Sequence, residues 1–174
     1  MVLAGHGDIR PDEVAEAFRH AAFHSETRPD IMRWKYRKLL MNLGNAVEAL
    51  CGPLDRGNPV VEAARQEGIA CLHASGLAYA SDDEPPVHRE KALKLQPIGT
   101  EQRPGGSTWQ SLARRAPTTE VDYLNGEIVL LGRAHGIRTP VNEALQLLMR
   151  KAARDGSAPG NMTLEQLSDE IQKS

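Results

Sequence analysis

Aromatics, cysteine, long apolar runs and an excess of either charge are all scarce in this chain, and each scarcity closes off a class of protein. Two phenylalanines, two tryptophans and three tyrosines among 174 residues leave a core that must be built mostly from leucine, alanine and valine. The two cysteines, Cys51 and Cys71, lie in apolar helical contexts with no signal peptide ahead of them. They read as buried thiols of a cytoplasmic protein rather than as a disulfide framework. The apolar runs are too short and too interrupted to span a bilayer. The formal charge is −2 at pH 7, and no basic stripe is interleaved with aromatics, so nucleic acid is not the expected partner. The glycine-rich dinucleotide fingerprint is also missing: Gly5-His6-Gly7 has the wrong spacing and no helix start after it.

What is present is helix. The stretch from Ile31 to Cys51 is read as one helix around which the rest is organised. Tyr36, Leu39, Leu40, Leu43, Val47 and Leu50 fall on one apolar face at 3.6 residues per turn. Lys38, Asn42 and Asn45 fall on the opposite face, flanked by Trp34 and Ala49. A solvent face normally favours Glu, Lys and Gln, and asparagine is a poor helix former. One cation beside two neutral donor-acceptor groups suits a small polar anion. Lys35 is the rival lysine, read as less well aligned with Asn42.

In chain order, Val2-Leu3-Ala4 reads as a short strand and Pro11 as the first turn of a helix of about twelve residues. A strand that short makes no sheet alone, so the chain opens like the last βα piece of a larger sheet. Pro59 to Ala80 reads as a helix weakened by Gly68. Ser81–Glu84 caps a shorter helix containing Val87, Lys91 and Leu95, and the loop from Gln96 to Gly106 is long enough to be suspected of function. Helices follow over Ser107–Arg114, Thr119–His135, Val141–Arg154 and a detachable-looking tail, Thr163–Gln172. Glu16, His20 and His24 share a helix face, but no fourth ligand is identifiable and the HExxH order is absent, so no metal site is assigned. His135 before Gly136 reads as a helix-end residue.

From Ser107 onward several motifs occur in order: Ser-x-x-Gln at a helix start, T-E-x-D-x-x-N-G over Thr119–Gly126, and G-x-x-H-G-I-x-T-P-V-N over Gly132–Asn142. With R-K-L-x-x-N over Arg37–Asn42, they make the chain resemble the C-terminal domain of the ketopantoate reductase (2-dehydropantoate 2-reductase) family, over roughly residues 8–150. The resemblance implies an all-α, multi-helix domain with a short N-terminal βα remnant of a Rossmann domain. Residues 1–29 would be that remnant, 30–155 the helical substrate-binding and dimerisation domain, and 156–174 a linker and tail helix. It further implies an oxidoreductase role in pantothenate biosynthesis, with NADPH as cofactor, a small 2-oxoacid as substrate and a homodimer as the assembly.

Residue by residue, the resemblance places the catalytic lysine on Lys38 and a substrate-binding asparagine on Asn42. It places the carboxylate-holding serine on Ser107 and the acidic residue near the substrate hydroxyls on Glu120. A further family asparagine would fall on Ala46; Asn45 stands next to it, a rotation of about 100° away. The chemistry of these residue types agrees. Hydride addition to a 2-oxoacid builds negative charge on the ketone oxygen, which a protonated lysine stabilises and protonates. A nearby glutamate keeps that lysine charged. Read without the resemblance, Glu120 is a carboxylate favoured at a helix start and Ser107 an N-cap. The expectation is the substrate-binding and catalytic half of an NADPH-dependent 2-oxoacid reductase, its Rossmann half missing from this chain or separate, by truncation, gene splitting or drift to another use. The alternative is a non-catalytic helical module for dimerisation or small-carboxylate binding.

Overall fold

The computed structural model describes residues 10–84 and 105–173. The expected strand Val2–Ala4, the helix through Val87 and nearly all of the Gln96–Gly106 loop lie outside the described residues. The described residues contain helices and no strand, which is the all-α architecture expected.

The helices are α1 (Pro11–His20), α2 (Ile31–Asn42), α3 (Asn45–Cys51), α4 (Pro59–Ala74), α5 (Ser107–Ala113), α6 (Asn125–His135), α7 (Pro140–Arg154) and α8 (Leu164–Gln172), with a 3₁₀ turn over Glu120–Tyr123 before α6. Proline opens α1, α4 and α7 at the first turn, where its missing N–H costs nothing. Asn58 caps α4 through its side-chain oxygen, which accepts from the amides of Val60 (3.0 Å) and Val61 (3.3 Å). Thr163 and Gln166 form a reciprocal capping box at α8, the arrangement that satisfies two orphan amides at once.

The organising helix is not continuous. It breaks at Leu43–Gly44 into α2 and α3. The break has a packing cause that only the folded chain supplies. A Cβ on Gly44 would lie 2.8 Å from Cγ1 of Val61 on α4, and one on Gly68 would lie 2.7 Å from Cδ2 of Leu40 and 3.0 Å from Cδ1 of Leu43. Gly68 is thus no weakness in α4; it is where α2 and the joint approach α4 most closely. Beyond the joint, Ala46, Val47, Ala49 and Leu50 are all buried. These four make one broad face that must be covered, and α5, α7 and the chain before α8 supply the cover. Ala49, expected on the polar face, is therefore core.

Two other boundaries, the burial of one cysteine and the attachment of the tail differ from expectation. α4 ends at Ala74 rather than Ala80, because Gly76 takes a left-handed φ of 67° and the Leu77 amide turns back to the Leu72 carbonyl at 2.9 Å, a Schellman-type stop. The expected Thr119–His135 helix divides at Leu124, whose φ of −110° and ψ of −89° are not helical. Cys71 is buried, but Cys51 is only half-buried; burial pushes both thiols up. The tail is tied in as well: Gly160 and Met162 donate their amides to the carbonyls of Ala49 and Leu50 at 2.9 and 3.1 Å, and Leu167 sits in the common core with Leu43, Val47, Leu50, Ile128, Leu145 and Met149.

Candidate functional site

Lys38 stands exposed on α2, and Asn42, half-buried, is the last residue of that helix. Asn45, also half-buried, is the first residue of α3. The joint lies between them, so the three do not run down one continuous helix face. Within α2, Lys38 is about 40° and Lys35 about 20° from Asn42 in projection. Alignment therefore does not favour Lys38 over Lys35, and both are exposed; what singles out Lys38 is its place in the R-K-L motif.

Ser107 is exposed as the first residue of α5, with Gly106 rather than Ser107 in the capping position. The Gly106 amide donates to Oε2 of Glu48 at 3.1 Å. Glu48 is one turn along α3 from Asn45, so this bond brings the Ser107 helix start against the Asn45 helix. Glu120 is exposed at the start of the 3₁₀ turn. That turn is anchored by Asp122, whose Oδ1 accepts from Gln146 (2.8 Å) and Arg150 (2.7 Å) on α7. Burial pushes the Asp122 carboxyl up, but these two hydrogen bonds and the Arg150 charge hold it below the usual range overall. Among the described residues, neither Lys38 nor Glu120 makes an ion pair or a side-chain hydrogen bond, with each other or with any third group.

Arg37, the neighbour of Lys38, has the opposite character. Its guanidinium donates to the carbonyls of Glu84 (2.8 Å) and Asp82 (3.3 Å). It lies over the ring of Trp34, 5.6 Å from the centroid, with Arg28 at 4.9 Å. The Trp34 Nε1 donates to Asp30 at 3.2 Å, and hydrogen bonds from Arg28 first, then Trp34, hold the Asp30 carboxyl below its ordinary range. Trp34 is therefore engaged by two cations.

The motifs downstream contribute residues that reasoning from the sequence had not assigned. Asn125 of the N-G pair and Asn142 of T-P-V-N are 1% and 0% exposed. The Asn125 amide donates to the Leu43 carbonyl at 3.1 Å and to Oδ1 of Asn142 at 3.0 Å. Asn142 in turn donates to the Ala64 carbonyl (2.9 Å) and to Oε2 of Glu67 (2.8 Å). Glu67 closes the set by accepting the amides of Val141 and Asn142 at 2.9 and 3.0 Å, a carboxylate placed on the positive end of α7. Asparagines inside apolar helical patterns were the available signal, since a buried amide requires partners.

Nε2 of His20 lies 3.7 Å from Oε1 of Glu16, both exposed, and among the described residues no set of three or more His, Cys, Asp or Glu side chains is grouped to hold a metal. His135 is exposed at the end of α6, followed by Gly136 in the left-handed region at φ 70°. The described residues offer no glycine-rich turn opening a helix against a strand, so they do not fit the pyrophosphate of a dinucleotide. Among the described residues, no helix is long and apolar enough to cross a membrane.

Comparison with known proteins agrees with this architecture. The family model described as ketopantoate reductase PanE/ApbA C terminal matches residues 30–153. A 2-dehydropantoate 2-reductase of Halobacterium salinarum is 32% identical over 163 residues, covering 87% of this chain and 50% of that protein. One from Vibrio cholerae is 32% identical over 149 residues, covering 78% and 46%. A crystal structure of a PanE/ApbA family ketopantoate reductase from Ralstonia eutropha superposes with a TM-score of 0.66 at 30% identity, over 83% of this chain and 49% of that one. This chain thus spans about half the length of the relatives it matches. With the family model covering most of the described helices and two relatives aligned over most of the chain, the protein belongs to the ketopantoate reductase family and carries that family's C-terminal domain.

Proposed function

We propose that this chain is the substrate-binding and catalytic half of an NADPH-dependent 2-oxoacid reductase acting on 2-dehydropantoate or a close analogue. The observation that carries the reading is Lys38. It is an exposed ammonium in the R-K-L motif of α2 with no ion-pair partner among the described residues, beside an arginine of the same motif that is wholly engaged. In this reading Lys38 faces the ketone oxygen, stabilises the charge that develops there and delivers the proton. Ser107, Asn42 and Asn45 hold the carboxylate and polar groups as neutral donors. Glu120 stands near the substrate hydroxyls and keeps the lysine charged once substrate brings them together. NADPH is held by a nucleotide-binding half outside the described residues, and the complete enzyme works in the cytoplasm.

The test is turnover in the chain joined to a nucleotide-binding half of the family. Lys38→Ala is expected to lower kcat by about 10²–10⁴-fold, the usual contribution of a general acid, while Lys35→Ala leaves it nearly unchanged. Equal losses in both variants would mean the wrong lysine has been chosen, and no 2-dehydropantoate-dependent NADPH oxidation by the joined protein without substitutions would favour a non-catalytic module.

The same reading includes a homodimer. Met41, Leu147, Leu130 and Tyr123 are 54%, 57%, 62% and 82% exposed, and a two-fold contact between copies would cover side chains of this kind. Sedimentation across a concentration series is expected to show a dimer; a strict monomer at high micromolar concentration would remove this part.

A further inference from the structure

We infer that Asn125 is a positioning residue: one buried amide fixes the joint between α2 and α3, and so sets how Asn42, ending the first helix, stands relative to Asn45, beginning the second. What the joint carries rests on the functional reading above; the joint itself rests on geometry alone.

The Leu43 carbonyl lies where the helical ladder is interrupted, on a residue that is 0% exposed. Water does not reach it, and a buried carbonyl left without a donor is costly. Asn125 supplies the donor at 3.1 Å. Its second N–H goes to Oδ1 of Asn142 at 3.0 Å, and Asn142 has no freedom to turn, because its own N–H groups are committed to the Ala64 carbonyl and to Glu67. Glu67 is fixed by two backbone amides at the start of α7. Orientation therefore passes from α4 through α7 to the first residue of α6, and from there to the joint.

The joint is also closed by packing against α4. Gly44 meets Val61, and Gly68 receives Leu40 and Leu43, at distances that leave no room for a Cβ. A hydrophobic residue at position 125 would fill the space but strand both the Leu43 carbonyl and Asn142 Oδ1. Oδ1 of Asn125 is buried without a hydrogen-bond partner among the described residues, so the amide is held by its two donated bonds alone; turning it over would set its oxygen against the Leu43 carbonyl and Asn142 Oδ1, which fixes one arrangement.

The test compares amide hydrogen exchange and 2-dehydropantoate affinity in the 174-residue chain and three variants. Asn125→Ala is expected to speed exchange at residues 43–47 by about tenfold or more relative to α8. It is also expected to weaken 2-dehydropantoate binding severalfold, although Asn125 is too deeply buried to touch a ligand. Asn125→Ser, which keeps one donor, should recover part of both effects and covers the case in which the alanine variant does not fold. Leu167→Ala serves as the control, because it removes core volume without touching the joint's hydrogen bonds. An exchange profile for Asn125→Ala that matches the control, or is uniform over the helices, would overturn the inference. If the unaltered chain binds no 2-dehydropantoate, the functional reading fails, while the exchange contrast still decides the joint.

Discussion

Two sets of polar residues drawn from the same motifs meet opposite environments. Asn125 and Asn142 are sealed inside the bundle, with Glu67 against Asn142, whereas Lys38, Ser107 and Glu120 stand exposed on the ends and outer faces of helices. Their energetics differ accordingly. A buried amide group left without a partner destabilises the fold; the N–H groups of both asparagines are matched here, while Oδ1 of Asn125 has no hydrogen-bond partner among the described residues. An exposed ammonium contributes little to stability and is free to meet a ligand. The lesson is that a family motif in this domain is not a list of ligand contacts. Half of it holds the scaffold in register, and the other half is held out by that scaffold.

Stability measurements break or sharpen this contrast. Asn142→Ala, which leaves Asn125 and Glu67 short of a partner, is expected to lower unfolding stability by about 1–3 kcal/mol. Lys38→Ala should stay within about 0.5 kcal/mol of the unaltered chain, as is usual for surface substitutions. Denaturant unfolding of the two variants side by side reads both, and equal losses would erase the distinction between the two sets. A smaller effect is expected from acid. The Asp122 carboxyl is held below its ordinary range, so the stability it contributes is present above the unfolded value of about 3.9 and is lost as pH falls through the lower folded value. Because the side chain is 41% exposed, solvent screening keeps this to a few tenths of a kcal/mol. Asp122→Asn should flatten that acid slope and leave stability at neutral pH nearly unchanged, as thermal melts over the acid range would show.

Much of the architecture was legible in the residues because its signals are local. Pro11, Pro59 and Pro140 open helices, Asn58 and Thr163 cap them, and Gly136 ends one. What stayed hidden depends on residues far apart in the chain. Nothing near Gly44 announces a break; its cause is Val61, on another helix. Ala49 looked like part of a polar face because the pieces that cover it, α5 and the segment carrying Gly160, come much later. Of the candidate site, the motif placed Lys38, Asn42, Ser107 and Glu120, but helical geometry could not choose between Lys38 and Lys35. Nor could it foresee that Asn42 and Asn45 fall on two helices rather than one. The scaffold role of Asn125 and Asn142 needed the fold, because burial is not a property of a residue's neighbours in sequence.

The most direct test of the account is a titration of isotopically labelled chain with 2-dehydropantoate, followed by amide and side-chain chemical shifts. Shifts are expected to cluster on Lys38, Asn42, Asn45, Ser107 and Glu120 and to be abolished by Lys38→Ala, with no matching response to NADPH, whose phosphates find no cradle among the described residues. Shifts confined to another surface, or a Lys38→Ala chain that responds like the unaltered one, would contradict it.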